Sequence, residues 1–163
     1  MKSGAAAAGT ELVLDVFMIN GLLLGAGDRL AATEGLTSAR WQVLGAIALA
    51  GEPAPVPRVA RRMGLTRQSV QASVNRLVHD GMLTSEPNLD HARSPLFGLT
   101  DIGTAAYERL TAIQQEWIEG LVADLPAAEL QAASRILRTL SVRLGFDTEP
   151  AAQISRTTRG VAT

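Results

Sequence analysis

The chain has 163 residues, a formal net charge of -1 and no cysteine. That length suits one domain, or one domain with an appended helical part, and the lack of cysteine rules out disulfides, cysteine-ligated zinc, thiol nucleophiles and thiol-based redox sensing. With 47% hydrophobic but only 4% aromatic residues, and an apolar content dominated by Ala, Leu and Val, the fold is expected to be mainly α.

Charge is unevenly distributed. Between Val56 and Arg93 the basic residues Arg58, Arg61, Arg62, Arg67, Arg76 and Arg93 outnumber Asp80, Glu86 and Asp90, whereas from Asp101 to Glu129 six acidic residues face only Arg109. One end of the molecule is therefore expected to be electropositive, and the two ends to meet different partners.

Residues 1–9, MKSGAAAAG, carry small side chains and are expected to form a flexible leader. Over residues 10–35, Leu12, Val16, Ile19, Leu23 and Leu30 recur at helical spacing, with a second apolar set at Val13, Phe17 and Leu24. Such a helix needs more than one packing partner, and Gly21, Gly25 and Gly27 allow close backbone approach. The longest uncharged runs, VFMINGLLLGAG and WQVLGAIALAG, fall short of the roughly 18 residues of a membrane-spanning helix. Glu11 and Asp15 stand where a signal peptide would carry basic residues. A cytoplasmic protein without a membrane partner is expected.

Thr37 is a natural N-cap for a second, nearly all-apolar helix that stops at Gly51. EPAPVP breaks the chain, and a short helix, PRVARRMG, follows with Pro57 in its first turn and Gly64 at its end. The next helix opens after Leu65 and Thr66. At 100° per residue, Val70, Val74 and Leu77 share one side, while Gln68, Ala72, Asn75, Arg76 and His79 lie opposite.

Two short helices joined by a turn containing Gly, the second with one apolar and one hydrogen-bonding edge, form a helix-turn-helix pattern. A solvated helix face favours Lys and Glu, and both are absent from Leu65 to His79. Arg forks onto guanine, Gln and Asn pair with adenine, and Ala72 lets the helix sit close to a groove floor. Arg58, Arg61 and Arg62 suit phosphate contacts and equally suit a solvated face.

MLTSEP, NLDHARS and PLFGL read as strand, loop and returning strand, a small wing whose returning strand carries Pro95 and so belongs at a sheet edge. Beyond Thr100 two helical stretches follow. Ile102, Ala106, Leu110, Ile113, Trp117 and Leu121 form one stripe, and Leu130, Ile136, Leu137, Leu140 and Leu144 another. The helices outside the lobe need each other or a second copy, so a homodimer is expected. The resulting organisation is a leader at 1–9, an N-terminal dimerisation helix at 10–35, a winged helix-turn-helix lobe at 36–100, C-terminal dimerisation helices at 101–146 and a flexible tail at 147–163.

The succession LTSARWQVLGAIA, VPRVARRMGLTRQSVQASVNRLVHDGML and NLDHARSPLFGLTDIG, closing on Leu99, Thr100 and Gly103, resembles the MarR family of bacterial transcriptional regulators from about Thr10 to Phe146. The resemblance implies a homodimer whose terminal helices interlock and whose winged lobes hold successive major grooves of double-stranded DNA carrying an inverted repeat. It places Thr66, Arg67, Gln68, Ser69, Gln71, Ala72, Asn75 and Arg76 on the recognition helix. It also matches Arg93 to a wing arginine at the minor groove. The sequence departs from the family at His91, where a wing Asp is usual, and at Ala92, where a second Arg is common, which implies weaker minor-groove contact; His91 itself is expected to touch DNA or solvent.

The family further implies a repressor released by a small-molecule effector in a cleft between dimer helices and lobe. Phe17, Met18, Leu22 and Trp41, with Tyr107 and Trp117, suit the lining of such a cleft or plain core; a flat aromatic or anionic compound would fit, with Arg40 as its charge partner. No metal site or cofactor is expected, because His79 with Asp80 and His91 with Asp90 are isolated pairs. No phosphate-binding loop or nucleophile with its base argues for an enzyme. The competing function is a winged-helix module that docks its basic lobe on an acidic protein without reading DNA.

Overall fold

The computed structural model describes residues 2–146. The elements run α1 (Lys2–Ala31), a single 3-10 turn (Ala32–Glu34), α2 (Ser38–Ala48), β1 (Ala54–Pro55), α3 (Val56–Met63), α4 (Arg67–His79), β2 (Leu83–Glu86), β3 (Leu96–Leu99), α5 (Asp101–Leu121) and α6 (Ala127–Arg143). The mainly α fold with a small β wing is as the sequence suggested, and the expected tail at 147–163 lies outside the described residues.

Three sequence expectations change. Helix α1 starts at Lys2, so the stretch expected as a leader is helical; four consecutive alanines have the highest helix propensity of any residue. The returning strand β3 is not at the edge. It is the middle strand of an antiparallel sheet ordered β1-β3-β2, pairing Ala54 with Phe97 on one side and Leu83 with Leu99 on the other. Pro95 sits one residue before β3 begins, where its missing N–H interrupts no ladder. The third change concerns α1, which within Gly4–Glu34 contains an 18-residue stretch with a mean hydropathy of 1.6, long and apolar enough to cross a membrane by length and composition alone. Uninterrupted uncharged runs understated this, because the leucine- and valine-rich remainder of the stretch outweighs Glu11 and Asp15.

One core fills the lobe. It joins Val43, Leu44 and Ile47 of α2, Val56, Val59 and Ala60 of α3, and Val70, Val74 and Leu77 of α4 with Leu83, Phe97 and Leu110. The junction of α1 with α2 is fixed by polar groups: the Ser38 backbone N–H donates to Asp28 Oδ1 at 2.6 Å. Gly27 there lies so close to Ser38 that it is the one of the three α1 glycines Gly21, Gly25 and Gly27 whose missing side chain the packing uses. Farther along, Arg109 of α5 forks onto Glu34 with hydrogen bonds of 2.7 and 2.6 Å, tying the end of the first arm to the start of the second.

The wing is locked to α5 at Thr100. Its hydroxyl donates to the Gly81 carbonyl at 2.7 Å, its own N–H donates to the Met82 carbonyl at 3.1 Å, and its Oγ1 caps α5 by accepting from the Gly103 N–H at 3.1 Å. At Gly103 the helix presses so closely on the Met82 carbonyl that any Cβ would overlap backbone. Outside the lobe, in contrast, apolar side chains stand in the open. Leu14, Phe17, Met18 and Leu22 of α1 and Ile136, Leu137 and Val142 of α6 are exposed, and α6 has no buried residue. Its end returns to the lobe, where the Phe146 ring lies 3.3 Å from the place a side chain at Gly64 would occupy.

Gly103→Ala is expected to destabilise the chain by about 1–3 kcal/mol, the usual cost of overpacking when backbone must shift. Urea denaturation followed by circular dichroism measures this, and an unchanged midpoint would show that α5 can slide away from Met82.

Candidate nucleic-acid interface

Helix α4 is set by its two ends and one edge. Thr66, extended at φ -72° and ψ 147°, caps the start by accepting from the Ser69 N–H at 3.2 Å. The turn before it works because Gly64 adopts φ 64°, the left-handed conformation that ends α3 while its N–H bonds back to the Arg61 carbonyl. Val70, Val74 and Leu77 are fully buried, so the polar residues between them must face outward. Arg67, Gln68, Ser69, Gln71, Ala72, Asn75 and Arg76 are all exposed, among them Gln68, Ala72, Asn75 and Arg76, which the spacing set opposite the apolar edge.

The side chains on this face differ in what they are free to do. The hydroxyls of Thr66 and Ser69 are spent on the cap, the Thr66 hydroxyl donating to Ser69 Oγ and the Ser69 hydroxyl to the Thr66 carbonyl. These two therefore hold the helix start instead of presenting free hydroxyls. Gln71 donates through Nε2 to Asn75 Oδ1 at 2.8 Å, which aligns two amides one turn apart. Arg67, Gln68 and Gln71 line one wall of an open cleft of about 300 Å³, with Arg93, Ser94 and Pro95 of the wing on the other and Val56, Pro57 and Phe97 among its lining. Helix α4 and the wing thus share one surface bearing two arginines.

Asn88, which sequence reasoning passed over, organises the wing loop. Its Oδ1 accepts from the N–H groups of Asp90 and His91, its amide donates to the Ser94 carbonyl at 2.9 Å, and the Ser94 N–H closes the loop on the His91 carbonyl at 2.8 Å. Asn followed two residues later by a turn is the signal that could have found it. His91 and Arg93 are exposed on this loop. Arg58 is paired with Glu52 at 2.7 Å, Arg61 is exposed and Arg62 half-buried.

The residues suggested for an effector cleft are not brought together as a charged pocket within one chain. Phe17, Met18 and Leu22 are exposed on α1, while Trp41 and Tyr107 pack against the core. Arg40 is already engaged: its Nη1 donates to Asp80 Oδ2 at 3.1 Å, its Nη2 to the Gly35 carbonyl and its Nε to Thr37 Oγ1. Among the described residues no three His, Asp or Glu side chains gather in a way that could hold a metal. His79 instead shares a 3.1 Å hydrogen bond with Asp80.

Asp80 is the most connected charge of the lobe. Beyond Arg40 and His79, it accepts from Arg76 Nε at 3.1 Å. The hydrogen bond from His79, opposed by partial desolvation and reinforced by the positive charge of Arg76, holds its carboxyl below the usual carboxylate range. Glu34 is lowered likewise by the fork of Arg109, against a smaller desolvation effect.

A buried-edge helix with an exposed polar face, a capped turn before it and a pinned hairpin after it define a winged helix-turn-helix lobe. A sequence profile described as the MarR family matches residues 34–94, which takes in most of this lobe and ends just before β3. An uncharacterised protein of Mycobacterium tuberculosis (strain H37Rv) is 40% identical over 134 residues, spanning 82% of this chain and 92% of that one. The chain belongs to the MarR family of transcriptional regulators. Solved structures agree on the fold. A mutant MarR from E. coli complexed with operator DNA superposes with a TM-score of 0.72 at 21% identity, over 80% of this chain and 93% of that one. Staphylococcus aureus MarR in complex with salicylate and kanamycin gives 0.73 at 17% identity, over 84% and 93%.

Because the Asp80 and Glu34 carboxyls have folded-state pKa values below those of the unfolded chain, their contribution to stability is complete above the ordinary carboxylate value of about 4 and fades as pH falls through the lower folded values. Thermal melts between pH 7 and pH 3 are expected to show a steeper acid limb for the natural chain than for Asp80→Asn; parallel limbs would remove Asp80 from the linkage.

Proposed function

We propose that this protein is a homodimeric, sequence-specific regulator that binds double-stranded DNA and acts as a cytoplasmic repressor, released by a small aromatic or anionic ligand. The observation that carries the reading is the outward face of α4, where Arg67, Gln68, Gln71, Asn75 and Arg76 are all exposed while the opposite edge is fully buried. These side chains have the donor and acceptor patterns that recognise guanine and adenine in the major groove. Arg93, across the cleft from Arg67, supplies a cation where a wing meets the sugar–phosphate backbone or a narrow minor groove. The E. coli MarR structure with operator DNA supports this use of the fold.

The dimer follows from area that one chain leaves uncovered. Large apolar residues of α1 and α6 are exposed, and patches of that kind mark association surfaces. Burial against a second copy also removes from water the helix that composition alone would allow in a membrane. Two lobes related by a twofold axis then meet two half-sites of opposite direction, which is why an inverted repeat is the expected target. For the effector, the support is the S. aureus MarR complex with salicylate. In this chain Phe17, Met18, Leu22 and Trp41 would meet such a compound at the arms, with Arg40 contributing only if its bond to Asp80 opens.

In vitro selection from random duplexes tests the reading. An inverted repeat is expected, with half-site centres about one helical turn apart; no enrichment by folded, ligand-free protein would favour a protein-docking role for the lobe. On the selected site, Arg67→Ala or Gln71→Ala should each cost about 1–3 kcal/mol if the side chain meets a base edge. Light scattering should give twice the chain mass of 17.2 kDa for the natural protein, and Leu22→Glu or Ile136→Glu should shift it toward the single chain.

A further inference from the structure

Asp80 stands where the helix dipole and an approaching polyanion would both disfavour an acid. It is the C-cap of α4, the negative end of the helix dipole, where a carboxylate is repelled and Lys or Arg is preferred. It also puts a negative charge beside Arg76, on the helix proposed to approach a polyanion. Simple solubility or bulk attraction to DNA would place a neutral or basic residue there.

Its contacts supply a reason for an acid. Both arginines use the same oxygen: Arg40 Nη1 from α2 and Arg76 Nε from α4 each lie 3.1 Å from Oδ2, while His79 Nδ1 lies 3.1 Å from Oδ1. The Arg40 and Asp80 side chains are only 19% and 21% exposed, whereas Arg76 is 60% exposed. One end of the cluster is thus anchored in the lobe and the other reaches out from it. Arg40 is held in turn by the Gly35 carbonyl and by Thr37, the N-cap of α2. Arg76 meets the carboxylate through Nε, a contact that orients its guanidinium plane, while its two Nη groups have no intramolecular hydrogen bond among the described residues. That is the half of the fork that binds a phosphate or the edge of a guanine.

We infer that Asp80 and Arg40 are positioning residues for DNA recognition: anchored through Arg40 to the start of α2, the Asp80 carboxylate presets the Arg76 guanidinium for the operator. The inference rests on the DNA-reading proposal and adds to it two residues that need not touch DNA. Presetting lowers the ordering cost that a long, exposed side chain otherwise meets on binding, and it acts only on a duplex that Arg76 fits.

The sign of the effect separates positioning from bulk charge. Removing a carboxylate near DNA strengthens binding to every duplex if only long-range charge matters. Positioning predicts that Asp80→Asn weakens binding to the selected operator by about five- to tenfold, with binding to a scrambled duplex unchanged or tighter. Arg40→Met should do the same in a milder form, and in an Arg76→Ala background Asp80→Asn should cost nothing further.

Fluorescence anisotropy with both duplexes measures all of these, and the ratio of the two affinities is insensitive to any misfolded fraction. Tighter binding of Asp80→Asn to both duplexes, an undiminished operator preference, or a loss that persists without Arg76 would overturn the inference while leaving the DNA-reading proposal intact. A natural protein that prefers no duplex would overturn both.

Discussion

Everything on the outward face of α4 depends on the opposite edge being fixed. Val70, Val74 and Leu77 have no solvent exposure and belong to the same core as the apolar faces of α2 and α3. Their spacing of four and three residues puts them on a single line along the helix, and rotation of α4 about its axis would bring them into water. Burying one such side chain is worth about 1.5–3 kcal/mol, so three together hold the helix azimuth against any reorientation that surface contacts would favour. The polar face is therefore a consequence of the apolar edge, and the cap at Thr66 and the left-handed turn at Gly64 set only where the helix begins.

That edge was legible because it is periodic and local. The same holds for the N-cap at Thr37 and for the glycine ending α3, each of which works within a few residues of its own position. What stayed hidden was pairing across distance. Arg40 and Asp80 are 40 residues apart, and Glu34 and Arg109 are 75 apart; nothing in their neighbourhoods forecasts the partner. The placement of β3 failed for a related reason, since β1 is only two residues long and lies within the proline-rich stretch that read as a break. For Asp80 a local signal did exist, an acid at a helix end that favours cations, but its meaning needed the arginine from α2. The exposed polar residues of α4 could be named from sequence; which hydroxyls are consumed by the cap could not.

The two halves of the molecule solve opposite problems. Between Ser38 and Leu110 most large apolar side chains are covered within the chain, with Leu65, Leu89 and Ile102 as exposed exceptions, and polar groups are linked to neighbouring elements at each junction: Ser38 to Asp28, Thr100 to Gly81, Asn88 to Ser94. No buried side-chain nitrogen or oxygen among the described residues lacks a hydrogen-bond partner. The arms invert this pattern, carrying an abundance of apolar surface and few polar links. Such a division lets the lobe keep its shape while the relation between lobes is set elsewhere, which suits a protein whose proposed task is to hold two recognition helices at a defined separation.

The uncovered arms also have a consequence in time. During synthesis α1 leaves the ribosome before the lobe and α6 after it. Closing the lobe core is an event within one molecule, while covering the arms with a second copy, as proposed, is second order and slows as the chain becomes scarce. On that proposal a newly made molecule passes through a stage with a finished lobe and uncovered apolar arms, the sort of species that aggregates or recruits chaperones. Its length depends on how many copies the cell is making, so the abundance of the protein governs the fate of each new chain.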